Sequence, residues 1–309
     1  MKTLAEPASK LRPELNCFFS TSYSKNMKIM RKVSVLPIFL IFHFYGSSQK
    51  INPSRDWKLA VQMWTFNKFT FLEGIDKADS CGFKYIEAYP GQKIGGNFRG
   101  NIGPAMNLVE RKQLKDYLNK KGIIMLAYGV VDGTDDAKTL QDWKNSFDFA
   151  KDMNVTEITV MPTSSQLDYV NELAGTYHIK AAIHDEPGLS PYGKPDSVVI
   201  ALKNRANLGA CVDMGNWARN GVDVVDCIKN QLKGRIFSLH LKDVKASGNH
   251  QSDVLLGQGI CNIPGILAEL KNQGFMGFFS LERGSARSAN LKDISQDIQY
   301  YYSELKKLR

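Results

Sequence analysis

The side chains with chemistry to offer gather in the second half of the chain. His184 and Glu186 stand two apart, as do His240 and Lys242, and a spacing of two puts each pair on one face of an extended segment. Asp213 and Glu282 each close a short apolar run, and Asp243 follows Lys242 directly. A buried charge costs several kcal/mol unless it is paired or bound to a metal. Any one of these residues fits an ordinary hydrogen-bonded strand end. His, Asp, His and Glu ending four consecutive strands need a shared partner, and a divalent cation supplies one.

Such residues meet only if the chain brings its strand ends together. Apolar runs rich in β-branched and aromatic residues recur at 59–65, 85–88, 123–130, 157–161, 179–184, 208–213, 235–241 and 278–282. Segments of helical period separate them, at 72–80, 108–121, 139–153, 166–177, 197–204, 222–232 and 263–272, and a last one at 291–308 closes the series. Gly82, Gly122, Gly209, Gly234 and Gly274 fall where left-handed helix C-caps belong. Eight β/α units in about 260 residues predict an α/β fold, a single (β/α)8 TIM barrel. The rival, an open doubly wound sheet, carries a glycine-rich loop after its first strand, but Phe66-Asn67-Lys68-Phe69 stands there. A barrel places its site at the C-terminal strand ends, which here offer Gln62, Trp64, Glu87, Tyr128, Met161, His184, Glu186, Asp213, His240, Lys242, Asp243 and Glu282.

Total charge points elsewhere, because 309 residues with 40 Lys plus Arg against 31 Asp plus Glu carry a formal +9. Residues 1–48 hold seven of the bases and two of the acids, leaving 33 bases and 29 acids over 49–309. That balance, without a basic stripe, gives no reason to invoke nucleic acid. Lys28, Arg31 and Lys32 precede an apolar run from Val33 to Tyr45 and then Gly46-Ser47-Ser48-Gln49, the order of a secretory signal. The run falls short of the roughly 20 residues that span a bilayer, so stable membrane insertion is not expected. Residues 1–48 are therefore read as an upstream extension and signal, with translation starting at Met27 or Met30, and 49–309 as the barrel of an exported, periplasmic or secreted protein. Cys81, Cys211, Cys227 and Cys261 show no zinc spacing and read as buried hydrophobes.

The segments 182–187 (Ala-Ile-His-Asp-Glu-Pro), 211–217 (Cys-Val-Asp-Met-Gly-Asn-Trp), 238–243 (Ser-Leu-His-Leu-Lys-Asp), 256–259 (Leu-Gly-Gln-Gly) and 280–282 (Ser-Leu-Glu) resemble the sugar phosphate isomerase/epimerase family of xylose isomerase-like TIM barrels. The resemblance covers roughly 57–308. It implies one Mn, Mg, Co or Zn ion held by His184, Asp213, His240 and Glu282. It also marks departures. Epimerases of the family place Glu where His184 stands, so Glu186 is a rival ligand or a displaced base. The family's substrate-contacting His three residues after the strand-6 Asp is Asn216 here.

The chemistry the family shares begins with a proton α to a carbonyl, removed by a carboxylate while a metal polarises the oxygens. Glu282 is the first candidate for the base, Glu186 and Glu87 for a second acid/base group, and Lys242 for a donor to the oxyanion. Trp64, Glu87, Asn216, Trp217, Arg219 and His250 are the candidate substrate contacts. No phosphate loop is present, so a small, non-phosphorylated carbohydrate or keto-sugar is the expected substrate. The leading expectation is a divalent-metal-dependent isomerase or epimerase; the alternatives are a lyase or hydrolase cleaving 3-keto-glycosides by β-elimination, and a non-catalytic carbohydrate-binding barrel. His178, ahead of strand 5, is read as structural.

Overall fold

The structure, a computed structural model, describes residues 51–133, 138–187, 190–248, 253–284 and 290–308. The expected signal at 1–48 and His250 lie outside them. Eight parallel strands close into a barrel in chain order: β1 Lys58–Gln62, β2 Tyr85–Ala88, β3 Ile124–Asp132, β4 Glu157–Met161, β5 Lys180–His184, β6 Leu208–Asp213, β7 Ile236–Leu241 and β8 Phe278–Leu281. β8 pairs back onto β1 with Lys58 beside Phe278, so the sheet has no free edge.

Local sequence sets where the helices begin and end. Thr70 with Glu73, Asn107 with Glu110 and Thr139 with Asp142 form reciprocal capping boxes at the starts of Phe71–Ser80, Leu108–Lys121 and Leu140–Asp152. Gly122 ends the second of these in the left-handed region at φ 65°. His178 does the same for Leu167–Tyr177 at φ 53°. Gly209 corrects the sequence reading, because it lies inside β6; a Cβ there would meet the Phe237 ring at 2.5 Å, so close packing selects glycine. The helix expected over 222–232 is instead a short turn, Val224–Asp226, running into a π-helical turn, Cys227–Gln231. Cys81, Cys211, Cys227 and Cys261 form no disulfide. Among the described residues no helix is long and apolar enough to cross a membrane.

The main core lies between strands and helices, where Phe71, Trp143, Phe147, Trp217, Ile266 and Tyr301 are buried. Ala60, Leu126, Ala127 and Phe278 form a separate apolar cluster. Phe278 shares a strand face with Ser280, and Ser280 bonds Glu87 within a buried polar layer. The same layer holds Thr159 and the Glu157–Ser238 pair.

Asp243 organises the loop that follows β7. One of its carboxylate oxygens accepts from the amides of Val244 (2.9 Å) and Cys261 (3.0 Å), the other from those of Gly257 and Gly259 (both 2.9 Å). A Cβ on Gly259 would fall 2.2 Å from Asp243 Oδ1, which explains the glycine of the Gly257-Gln258-Gly259 motif. Removing one acceptor from buried donors costs about 1–3 kcal/mol for each donor stranded. Asp243→Ala should therefore lower unfolding free energy by at least about 3 kcal/mol in urea melts. An unchanged melt would remove Asp243 from this role.

Candidate metal centre

Strand ends carry the cluster. His184 is the last residue of β5 and Asp213 the last of β6, His240 lies on β7 beside Asp213 in register, and Glu282 follows β8. All four are buried. One ligand-type atom from each lies within 4.8 Å of the others. His184 Nε2 is 3.0 Å from His240 Nδ1, which is 2.7 Å from Glu282 Oε2; Asp213 Oδ2 stands 4.0 and 3.9 Å from the two imidazole nitrogens. Bonds of about 2.0–2.2 Å to one ion put neighbouring donors roughly 3–4 Å apart, so the four side chains fit a single divalent cation.

The surroundings orient each donor. Asp213 Oδ1 accepts from the amides of Gly215 and Asn216 (both 2.9 Å), capping the helix Met214–Arg219. Only Oδ2 then faces the cluster. Glu87 Oε2 stands 3.0 Å from His240 Nε2 and accepts from Ser280 Oγ (2.6 Å), while Oε1 accepts from Thr159 Oγ1 (2.7 Å). This carboxylate behind an imidazole fixes which nitrogen faces the site. Asp185, which the sequence reading passed over, accepts from the Asp213 amide at 2.7 Å and so positions β6 against β5.

Lys242 Nζ lies 2.5 Å from Asp213 Oδ2 and 3.0 Å from Glu282 Oε1. Burial works against its charge, but Asp213 and Glu282 overcome this and raise its pKa. Burial likewise opposes the charge on Glu282, yet Lys242 and His240 hold its carboxyl well below the ordinary range. Burial, aided by the charge on His240, pushes His184 down to about 4, leaving a neutral imidazole at pH 7. Burial also disfavours charge on His240, but Cys211, Glu87 and Glu282 outweigh it and raise its pKa well above the usual value. Glu186, 40% exposed and 3.7 Å from His184 Nδ1, is pushed up to about 7 by partial burial and by the charge of Glu282.

Beside the cluster opens a cleft of about 250 Å³ lined by Gln62, Trp64, Tyr89, Pro90, Gly129, Val130, Asp132, Met161, His184, Glu186 and Glu282. Trp64 thus reaches the cleft, where its ring meets Tyr89 edge-on at 5.2 Å. Other expected substrate contacts do not. Glu87 lies fully buried behind His240, with its oxygens committed to neighbouring side chains. Trp217 is core, its indole N–H donating to the Tyr192 carbonyl at 3.4 Å. Asn216 donates to the Asp185 carbonyl and accepts from Arg219, and Arg219 pairs with Asp253. Lys242 does not line the cleft and acts on Asp213 and Glu282. Asp132 is a cleft residue the sequence reading missed, because β3 runs two residues past its expected end.

Fold and site together define a (β/α)8 barrel with a cation-type cluster at its C-terminal mouth. Residues 75–304 match the family described as xylose isomerase-like TIM barrel, and the chain belongs to that family. Among solved structures, an uncharacterised protein from Parabacteroides distasonis is 30% identical over 80% of this chain and 99% of its own, with a TM-score of 0.65. A xylose isomerase-like barrel from Mycobacterium smegmatis in complex with magnesium is 16% identical, covering 83% and 99%, with a TM-score of 0.66. The probable 3-DHS dehydratase of petrobactin synthesis from Bacillus anthracis is 16% identical, covering 79% and 98%, with a TM-score of 0.58. No curated protein matches the chain.

The carboxylate behind His240 makes a prediction of its own. Glu87→Gln keeps the shape but removes the charge that orients and strengthens the imidazole. Affinity for a divalent ion should fall about 10- to 100-fold in competition with a chromophoric chelator, and an unchanged affinity would refute the role.

Proposed function

We propose that the protein is a divalent-metal-dependent enzyme that shifts a proton α to a carbonyl on a free or oxidised sugar, with isomerisation as its reaction. The observation carrying this reading is a cation-type cluster beside a carboxyl, Glu186, which is partly exposed and lines the same cleft. His184, Asp213, His240 and Glu282 would hold a divalent ion, which would supply Lewis-acid polarisation worth several kcal/mol.

Within this reading Glu186 takes over the part of base first given to Glu282. Glu282 has one oxygen at Lys242 and the other at His240, and its low pKa suits a ligand. Glu186 is partly exposed, and a base with a pKa near the working pH transfers protons most effectively. It takes the α-proton and returns it to the neighbouring carbon on the same face, the hydroxyl proton passes from the one substrate oxygen to its neighbour, and Lys242 keeps the two carboxylates in place. Epimerisation needs a second acid on the opposite face. Glu87, the expected candidate, is sealed behind His240 and unsuited to that part.

A second reading has its own support. Trp64, Tyr89, Pro90 and Met161 give the cleft an apolar wall, suited to the ring face of a sugar or to the aglycone of a 3-keto-glycoside. In such a substrate one base at C2 is enough to expel the C1 substituent. The signal pattern before residue 49 supports an exported protein meeting non-phosphorylated substrates, in keeping with both readings.

Glu186→Gln should lower turnover by about 10²- to 10⁴-fold, while Asp132→Asn has a far smaller effect. In the unaltered protein the rate should rise with pH as the Glu186 carboxyl ionises, through a pKa no higher than about 7, since a bound cation favours the carboxylate. That limb should vanish in the Gln variant; a retained limb would rule Glu186 out as the base. To separate the reactions, free ketoses and a 3-keto-glucoside are incubated in deuterated water. Isomerised sugar, carrying deuterium to the extent that the proton on Glu186 exchanges with solvent, supports the proposal; released aglycone supports elimination; formation of neither product leaves only a binding barrel.

A further inference from the structure

The donor set bears on which cation this site takes. Two of its four donor atoms are imidazole nitrogens, His184 Nε2 and His240 Nδ1. The two carboxylates are short of free oxygens. Asp213 spends Oδ1 on the N-terminus of the helix Met214–Arg219, and Glu282 has Oε1 against Lys242 and Oε2 toward His240. Each therefore offers at most one oxygen to an ion, and the one on Asp213, Oδ2, is shared with Lys242 Nζ at 2.5 Å. Lys242 contacts both carboxylates, so its ammonium offsets one of the two negative charges that face the cation directly, while the third carboxylate, Glu87, stands one imidazole further back.

Those features weigh differently on different ions. Magnesium wants a near-octahedral oxygen shell and gives up its water reluctantly, and calcium takes six to eight oxygens. Both depend on concentrated negative charge, which Lys242 dilutes. Cobalt and zinc bind imidazole well and accept four or five ligands. Glu87 behind His240 strengthens that nitrogen as a donor. The partner of His184 differs: Glu186 stands 3.7 Å from its outer nitrogen, and the His184 ring presents Nε2 to the cluster.

We propose that His184 and the Lys242 ammonium make this a nitrogen-preferring site, selecting a transition ion of the cobalt-to-zinc type and rejecting magnesium and calcium. The inference rests on the reading of His184, Asp213, His240 and Glu282 as one cation site, and goes beyond it by assigning selectivity to two of this chain's own residues. The magnesium in the mycobacterial barrel belongs to a protein 16% identical, a likeness that carries the fold alone.

The test is binding, read without turnover. Full-length protein stripped by a chelator is titrated with zinc, cobalt and magnesium chlorides by calorimetry, and the cobalt form is followed by visible absorption. Zinc and cobalt should bind one per chain, at least about a thousandfold more tightly than magnesium, and cobalt should show the strong bands of four- or five-coordination. His184→Glu should raise magnesium affinity and narrow the zinc-to-magnesium ratio at least about tenfold, and Lys242→Met should narrow it through added net charge. Magnesium binding within tenfold of zinc in the unaltered protein overturns the inference while leaving the cation site standing. So does a ratio unmoved by both substitutions in folded protein. Should neither variant fold, the unaltered protein's ratio alone decides. Loss of the underlying reading looks different: no ion binds at one per chain, or His240→Ala leaves zinc binding unchanged.

Discussion

Asp213 and Glu282 meet across the Lys242 ammonium at the mouth of the barrel, with all three side chains nearly withdrawn from water. Charges so placed are costly unless each finds a partner, and the surrounding structure can be understood as meeting that requirement. The ammonium offsets one carboxylate. The second negative charge is left for the imidazole side of the cluster, where His184 is neutral and His240 takes charge from the carboxylates around it. A divalent cation at the same point would take the place of the His240 proton, with both imidazoles as donors.

The barrel supplies the rigidity this arrangement needs. Asp213 ends β6 and begins the next helix in the same residue, so its carboxylate is held by helix capping on one side and faces the cluster on the other. Register places His240 of β7 beside Asp213 on β6 and beside Ser280 on β8. Ser280 in turn holds Glu87, and Glu87 holds His240. Asp243 ties down the loop leaving β7 and so fixes the backbone that carries Lys242. Glu186 stands apart from this locked set, two residues beyond β5 and partly in solvent, the position the proposed base requires.

Much of this could be read from the chain. Strand-end position and residue type drew attention to His184, Asp213, His240 and Glu282, because period-two runs and helical runs alternate cleanly enough to show where strands end, and the family resemblance gave those four as one ligand set. What could not be read depends on contacts between distant segments. Glu87 has the same position at a strand end as Glu282, yet Thr159, Ser280 and His240 enclose it, and no local pattern distinguishes a sealed carboxylate from an open one. Trp217 and Asn216 follow Asp213 on a helix that turns them into the core and toward Asp185 rather than toward the cleft. Asp132 was hidden by two extra residues of β3, and Gly209 by a Phe237 ring on the neighbouring strand.

The account stands on one ion shared by four side chains. A crystal of the metal-loaded protein, measured on both sides of the absorption edge of the added ion, tests this directly. The account predicts a single anomalous peak within about 2.0–2.3 Å of His184 Nε2, Asp213 Oδ2, His240 Nδ1 and a Glu282 oxygen, with Glu186 outside the shell. A peak ligated by Glu186 in place of His184, or a cluster bridged by Lys242 with no peak at all, would contradict it.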